Sequence, residues 1–298
     1  MTGLPDFSLL PKRYTTWERA ASVIYTSPFG RTVTYQTGTE RGPAAIIQAS
    51  ANLEWYDIEL DAEPYRRGIH TMSFVEPHAM ASSKNMVAWV QATARRILDA
   101  EKFPVLLGGE HSVSIGAIRA AAKVHPKLTV LSLDAHTDLR DRYEGSPLNH
   151  ACVMSRVLKV ARPVLAGIRS THAEANKTIK KHAITIFPAE EVLFDSSFPK
   201  KLLRALGPTV YISVDLDVLD PGIMPATGTP EPGGLGWYDL MRILRLVFEN
   251  RTVVGCDVVE LRPIEGNAAP DFLAAKLVYK LIGYRYYLPP FNGSPARG

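Results

Sequence analysis

The sequence predicts an α/β fold, a single three-layer α-β-α domain built on a mainly parallel sheet of eight strands. Three observations predict it. Short apolar runs rich in β-branched residues alternate with segments whose apolar residues recur every three or four positions, the pattern of repeated β-α units. Several runs, such as VLSL at 130–133 and VVGCDVV at 253–259, are apolar nearly throughout, which suits strands buried on both faces. No internal repeat, low-complexity linker or composition break divides the chain, so 1–298 reads as one domain, with 1–21 as an N-terminal extension and 286–298 as a C-terminal tail.

The strands are expected at 22–27, 68–74, 104–107, 128–134, 163–169, 183–187, 209–215 and 252–260. Covering helices are expected at 79–101, 114–124, 151–160, 237–249 and 270–285, among others. A hydrophobic share of 46%, a charged share of 21% and a mean hydropathy of −0.03 describe an ordinary globular protein with enough apolar side chains for a large core. No apolar run approaches the roughly 20 residues that cross a bilayer, and the start lacks a basic segment leading into an apolar stretch, so a cytoplasmic protein without membrane contact is expected. Cys152 and Cys256 are the only cysteines and read as reduced core thiols. The net charge of +4 comes from scattered Lys and Arg with no basic run, which disfavours nucleic acid as a partner.

Acidic and imidazole residues collect where strands are expected to end. In LTVLSLDAHTD, Asp134, His136 and Asp138 stand at every second position as the apolar run stops; in VYISVDLDVLDP, Asp215 and Asp217 repeat the spacing. Side chains two apart on extended backbone point the same way, so each cluster is expected to aim at one point. Glu110 and His111 follow PVLLGG, where Gly108 and Gly109 permit close backbone approach. In open parallel sheets ligands bind beyond the carboxyl ends of the strands, where all three clusters fall.

A lone Asp at a strand end is usually a cap or turn residue. Burying this many acids without a counter-charge would be prohibitive, so the set reads as metal ligands: His111, Asp134, His136, Asp138, Asp215 and Asp217. Mixed oxygen and nitrogen donors without thiolate suit Mn²⁺ and its neighbours. Four carboxylates balance two divalent cations, and a shared hydroxide leaves the site at about −1, ready for a cationic substrate. Glu260, at the end of TVVGCDVVELRP, is placed to accept hydrogen bonds from a planar guanidinium. His150, after a polar loop and at a helix start, is a candidate proton shuttle. The Gly- and Pro-rich segment 227–235 reads as a rigid loop at the pocket mouth, and its Glu231 could attract a distal ammonium. His70, His78, His125, His172 and His182 lie outside these clusters.

With these residues in hand the chain resembles the ureohydrolases, the superfamily of arginase and agmatinase, and its agmatinase branch most. The motifs are GGEHS at 108–112, DAHTD at 134–138, SVDLDVLDP at 213–221, TGTPEPGGL at 227–235 and VVELRP at 258–263, and the resemblance runs from about 22 to 283. It implies an arginase-like fold and two Mn²⁺ per subunit, one held by His111, Asp134, Asp138 and Asp215 and the other by His136, Asp134, Asp215 and Asp217, with Asp134 and Asp215 bridging. It implies hydrolysis of a small cationic guanidino substrate to urea and an amine, with Asp138 relaying a proton to the leaving amine, Glu260 orienting the guanidinium and His150 moving protons to solvent. It also implies a homotrimer or homohexamer.

Arginases hold the α-carboxylate and α-amine of arginine with polar residues just after DAHTD and an acid after the later strand. Here those stretches read LRDRYEG at 139–145 and GIRSTH at 167–172, which removes that clamp and favours agmatine over arginine. The early strand reads TSPFG at 26–30 and the shuttle motif Asn149-His150-Ala151, departures that touch the substrate tail more than the metals. Aminopropylagmatine, guanidinobutyrate and arginine remain alternative substrates. Two rivals lie outside ureohydrolysis. A deacetylase of the same general fold usually carries an adjacent His-His pair, which is absent; a polyamine-binding regulator would have lost ligands, Glu260 or His150, all of which are present.

Overall fold

The computed structural model describes residues 5–72, 75 and 77–290. Eight strands form one sheet: β1 (Ser22–Ser27), β2 (Ile69–Met72), β3 (Phe103–Gly108), β4 (Thr129–Leu133), β5 (Arg162–Ile168), β6 (Thr185–Pro188), β7 (Thr209–Asp215) and β8 (Thr252–Val259). Their order is β2-β1-β3-β8-β7-β4-β5-β6, and each neighbouring pair is parallel. Positions 73 and 74 of the expected second strand lie outside the described residues.

The helices are α1 (Gly42–Ser50), α2 (Ser83–Asp99), α3 (Ser114–Val124), α4 (Val153–Val157), α5 (Ala175–His182), α6 (Ala189–Phe194), α7 (Phe198–Ala205), α8 (Trp237–Asn250) and α9 (Ala269–Tyr287). They cover the two faces of the sheet and create two cores. Ile24, Val105, Leu107, Leu131, Leu133, Ile212 and Val214 pack with residues of α1, α7, α8 and α9. Val23, Tyr25, Leu106, Val130, Leu165 and Tyr211 pack on the other face with residues of α2, α3 and α4. Neighbouring residues of one strand thus enter opposite cores, as the pleat requires, and this explains why the strands read as continuous apolar runs. Each fully buried aliphatic or aromatic side chain contributes roughly 1.5–3 kcal/mol, so the double core dominates stability.

Several expected boundaries move for local reasons. The helix expected from 79 begins at Ser83, because the Ser82 side chain caps it by accepting from Asn85 N–H after the turn Pro77–Ala81. The helix expected over 151–160 shortens to Val153–Val157 after a 3₁₀ turn, His150–Cys152. The sixth strand starts at Thr185 because Ala183 takes the left-handed conformation that ends α5. Residues of the expected N-terminal extension pack on the fold: Phe7 is fully buried, its N–H donates to Thr71 Oγ1, and Trp55 Nε1 donates to Ser8 Oγ.

The strand order has a functional consequence. The chain builds β1, β2 and β3, passes on to β4, β5 and β6, then returns to lay β8 and β7 between β3 and β4. The helices after β3 and β4 cover one face and those after β7 and β8 the other. Connections that leave adjacent strands toward opposite faces open a crevice at the carboxyl ends. The four central strands are also the four that precede the acidic motifs.

Candidate metal centre

At the end of β3, Gly109 lies so close to β1's continuation that a Cβ would stand 2.1 Å from the Phe29 carbonyl oxygen, so only glycine fits. Glu110 N–H then donates to Phe29 O at 2.8 Å, and the turn His111–Val113 directs His111 over the sheet end. Beyond β4, Asp134, His136 and Asp138 follow the strand's end, and His136 forms an isolated parallel bridge with Ser170. The strand stops at Leu133, Asp138 has φ 48°, and Asp134 Oδ1 accepts from His136 N–H at 2.6 Å. At the end of β7, Asp215 caps a 3₁₀ turn, Leu216–Val218, by accepting from Asp217 N–H at 3.0 Å. Strand alternation alone does not align these ligands: the positive φ of Asp138 and the 3₁₀ turn carrying Asp217 bring them in, while Asp134 and Asp215 each accept from the N–H two residues on.

The result is one cluster. His111 Nδ1 lies 3.1 Å from Asp138 Oδ2 and 3.3 Å from both Asp134 Oδ2 and Asp215 Oδ2. His136 Nδ1 lies 2.8 Å from Asp217 Oδ2 and 3.8 Å from Asp134 Oδ1, and Asp217 Oδ1 accepts from Ala135 N–H. Two groups could each hold a metal ion, His111 with Asp134 and Asp215, and Asp134 with His136 and Asp217. Asp134, the shared member, is fully buried.

The donor chemistry fits cations. Ser213 Oγ donates to Asp257 Oδ1 at 2.6 Å, so toward His111 Nε2, at 3.0 Å, it can only accept. His111 consequently holds a proton on Nε2 and presents Nδ1 to the cluster, where a metal ion would take its lone pair; without one, burial disfavours charge on the ring but Asp134, Asp138 and Asp215 outweigh it and raise the imidazole well above its ordinary range. Nδ1 and Asp134 Oδ2 are both buried without a hydrogen-bond partner, 3.3 Å apart. Buried polar atoms without partners, converging on one point with oxygen and nitrogen donors, fit a bound cation.

Electrostatics agree. Burial, reinforced by Asp138 and Asp217, pushes the Asp134 carboxyl up to about 7. Burial together with Asp217 and Asp134 holds Asp215 well above the carboxylate range. Burial disfavours charge on His136, but Asp217 outweighs it and raises the imidazole to about 11, while burial of Asp217 is outweighed by the same pair, which lowers its carboxyl. Without added positive charge the protein must borrow protons to neutralise these acids.

Glu260 follows β8 with φ 67°, a left-handed conformation that costs a non-glycine residue of order 1 kcal/mol. Its Oε1 accepts from His111 N–H at 2.6 Å, and burial beside Glu110 pushes its carboxyl up to about 8. His111, His136, Asp138, Asp215, Asp217, His150 and Glu260 line one cavity of about 170 Å³. Its walls include Val33 and Thr34, Arg140 and Tyr143, and Gly228 and Thr229 of the segment 227–235, which sits at the cavity as expected. Drug-sized pockets span roughly 300–1,000 Å³, so this one suits a small, slender molecule. Glu231 does not line it; its Oε1 lies 3.7 Å from His136 Nε2, at the edge.

The sequence profile of the Arginase family matches residues 20–283. The chain belongs to the arginase family. Relatives within it include an N(1)-aminopropylagmatine ureohydrolase of Synechocystis sp., 38% identical over 290 residues and 95% of each chain. An agmatinase of Bacillus cereus is 35% identical over 274 residues, covering 89% of this chain and 91% of its own. Among solved structures, the agmatine ureohydrolase of Thermoplasma volcanium superposes with a TM-score of 0.86 at 30% identity, over 96% of this chain and 95% of its own. These relatives place the chain in the agmatinase branch of the ureohydrolases, an arginase-family member with the arginase-like α/β fold.

Four further side chains contribute to this site from stretches the sequence singled out without giving these residues a role: Glu110 beside His111, Arg140 and Tyr143 in 139–145, and Arg169 in 167–172. Arg140 stacks over Tyr143 with its guanidinium 4.9 Å from the ring centre, and the Tyr143 and His150 rings meet edge-on at 6.0 Å. Arg169 Nη2 donates to the carbonyls of Asp217, at 2.6 Å, and Glu231, at 2.7 Å, tying a ligand-bearing turn to the 227–235 loop. Glu110 is fully buried beside the ligands.

Proposed function

We propose that this chain is a dimanganese agmatinase-type ureohydrolase, a hydrolase acting on the C–N bonds of linear amidines, which converts agmatine to urea and putrescine in polyamine biosynthesis. The observation that carries the reading is a pair of Asp/His groups sharing buried Asp134 beneath a narrow cavity whose wall presents Glu260. His111, Asp134, Asp138 and Asp215 would hold one Mn²⁺, and His136, Asp134, Asp215 and Asp217 the other, with mixed oxygen and nitrogen donors supporting that metal. When bound, the pair supplies a nucleophilic water activated at neutral pH and positive charge where the reaction develops negative charge.

The chain's own side chains do the rest. Glu260 accepts hydrogen bonds from the planar guanidinium and fixes its carbon over the cluster. Asp138 passes a proton to the departing amine, and His150 exchanges protons between cavity and solvent. Glu231, at the edge beside His136, attracts the distal ammonium. The apolar and aromatic walls limit entry to a thin chain. We further propose one domain spanning 1–298, a cytoplasmic location and a homotrimer or homohexamer. Among the described residues no helix is long and apolar enough to cross a membrane.

Urea release from the Mn²⁺-loaded chain, measured against agmatine, aminopropylagmatine, arginine and guanidinobutyrate, tests the reading. Agmatine is expected to give the highest kcat/KM; no urea from any of the four would overturn it. Aminopropylagmatine is the second reading, favoured by the name of the Synechocystis relative, and it would be ranked by the same assay.

A further inference from the structure

One buried acid, Glu110, has no part in the chemistry above, yet it sits at the centre of an ordered set of donors. Glu110 Oε2 accepts from Thr32 N–H at 2.6 Å, and Oε1 accepts from Thr32 Oγ1 at 2.5 Å and Ser112 Oγ at 2.6 Å. Thr32 in turn meets His150 twice. The His150 backbone N–H donates to Thr32 Oγ1 at 3.2 Å, and His150 Nδ1 lies 3.3 Å from the same oxygen. A hydroxyl has one proton to donate and two lone pairs to accept with. Three donors converge on the two Glu110 oxygens, so the Thr32 proton is committed there, and the oxygen can only accept from His150.

We infer that Thr32, held by Glu110, is a positioning residue that fixes the His150 imidazole as its Nδ1–H tautomer and leaves Nε2 as the ring nitrogen that meets the substrate. The inference rests on reading His150 as the proton carrier. Free imidazole rings turn and exchange tautomers, whereas a carrier works only when the correct nitrogen faces the correct way. The two hydrogen bonds to one hydroxyl pin both the backbone start of the turn His150–Cys152 and the ring attached to it. Tyr143, edge-on to the ring, and Arg140, stacked on Tyr143, close the other side without offering a hydrogen bond to the imidazole that would compete. The arrangement parallels Ser213 and Asp257 behind His111, where a hydroxyl committed to a carboxylate sets the tautomer of a histidine in the same cavity.

The test is a long-range ¹H–¹⁵N spectrum of ¹⁵N-histidine-labelled full chain loaded with diamagnetic Mg²⁺, with the His150→Gln variant used to identify the His150 signals. The expected result is an Nδ1–H signature in the wild type, a shift toward Nε2–H in Thr32→Val, and return of the Nδ1–H signature in Thr32→Ser. With Mn²⁺, Thr32→Val is expected to lose about tenfold in kcat with little change in KM, since a misdirected proton carrier slows the step without loosening the substrate. An Nε2–H signature in the wild type, which needs no variant to fold, overturns the inference; so does an unchanged signature in Thr32→Val. A wild type that shows Nδ1–H but releases no urea sinks the functional reading while supporting this placement.

Discussion

Replacing Asp134 by Asn separates what the site does for function from what it costs the fold. Burial, with Asp138 and Asp217 nearby, raises this carboxyl from 3.8 to about 7. An acid whose pKa is higher in the folded state holds its proton more tightly there. Its favourable contribution is complete below pH 3.8 and disappears as pH rises through about 7. About three pKa units at 1.36 kcal/mol each give roughly 4 kcal/mol that the metal-free fold bears above neutrality for keeping this one carboxylate ionised. Asn keeps the oxygen that accepts from His136 N–H and removes the charge. In chelator at pH 8, Asp134→Asn is therefore expected to be more stable than wild type by a few kcal/mol, a melting point higher by about 8 °C at roughly 2 °C per kcal/mol for a chain of this size. Below pH 4 the two should converge. With metal the order reverses: the shared ligand is lost, so the variant should bind fewer than two ions and release no urea. Denaturant titrations at several pH values, with metal content by emission spectroscopy, read both halves. A variant that is less stable than wild type in chelator at pH 8, or that still holds two ions per chain, refutes the reasoning.

Other changes probe separate features. Glu260→Gln retains the Oε1 acceptor for His111 N–H but loses the charge-assisted contact to the guanidinium; kcat/KM should fall about ten- to a hundredfold while metal content stays unchanged. Gly109→Ala forces a Cβ to 2.1 Å from the Phe29 carbonyl, so urea denaturation should show a loss above about 3 kcal/mol, and an unchanged midpoint would contradict the packing. Lys280→Met removes the ammonium that lies 2.7 Å from buried Asp57 and 2.7 Å from the solvent-facing Glu59; leaving the Asp57 charge without its cation should cost about 3–5 kcal/mol by denaturant titration, with metal content unaffected.

The alternation of apolar runs and amphipathic segments was enough to read the α/β class, because a strand buried on both faces and a helix buried on one leave different periodicities. Strand ends were legible wherever an apolar run met an acid, as at Leu133 and Asp215. The short helices α5, α6 and α7 were not resolved individually, since six to eight residues give too few turns for a helical period to stand out. The start of α2 at Ser83 needed the cap at Ser82, a contact no periodicity reports.

For the site, ligand identity was written in the chain because Asp and His at the ends of buried strands have few other uses. How those ligands meet was not. His111 faces Asp215 because the last two strands of the chain lie between β3 and β4, an order set by packing. Asp138 turns inward through a positive φ rather than by strand alternation. Arg140 and Tyr143 reach the cavity from a loop, and Thr32 and Arg169 act behind it, on His150 and on the Asp217 turn, through side chains whose direction depends on what surrounds them. A local pattern records what each segment buries; only the packed sheet decides which segments become neighbours, because that choice is made by surfaces far apart along the chain.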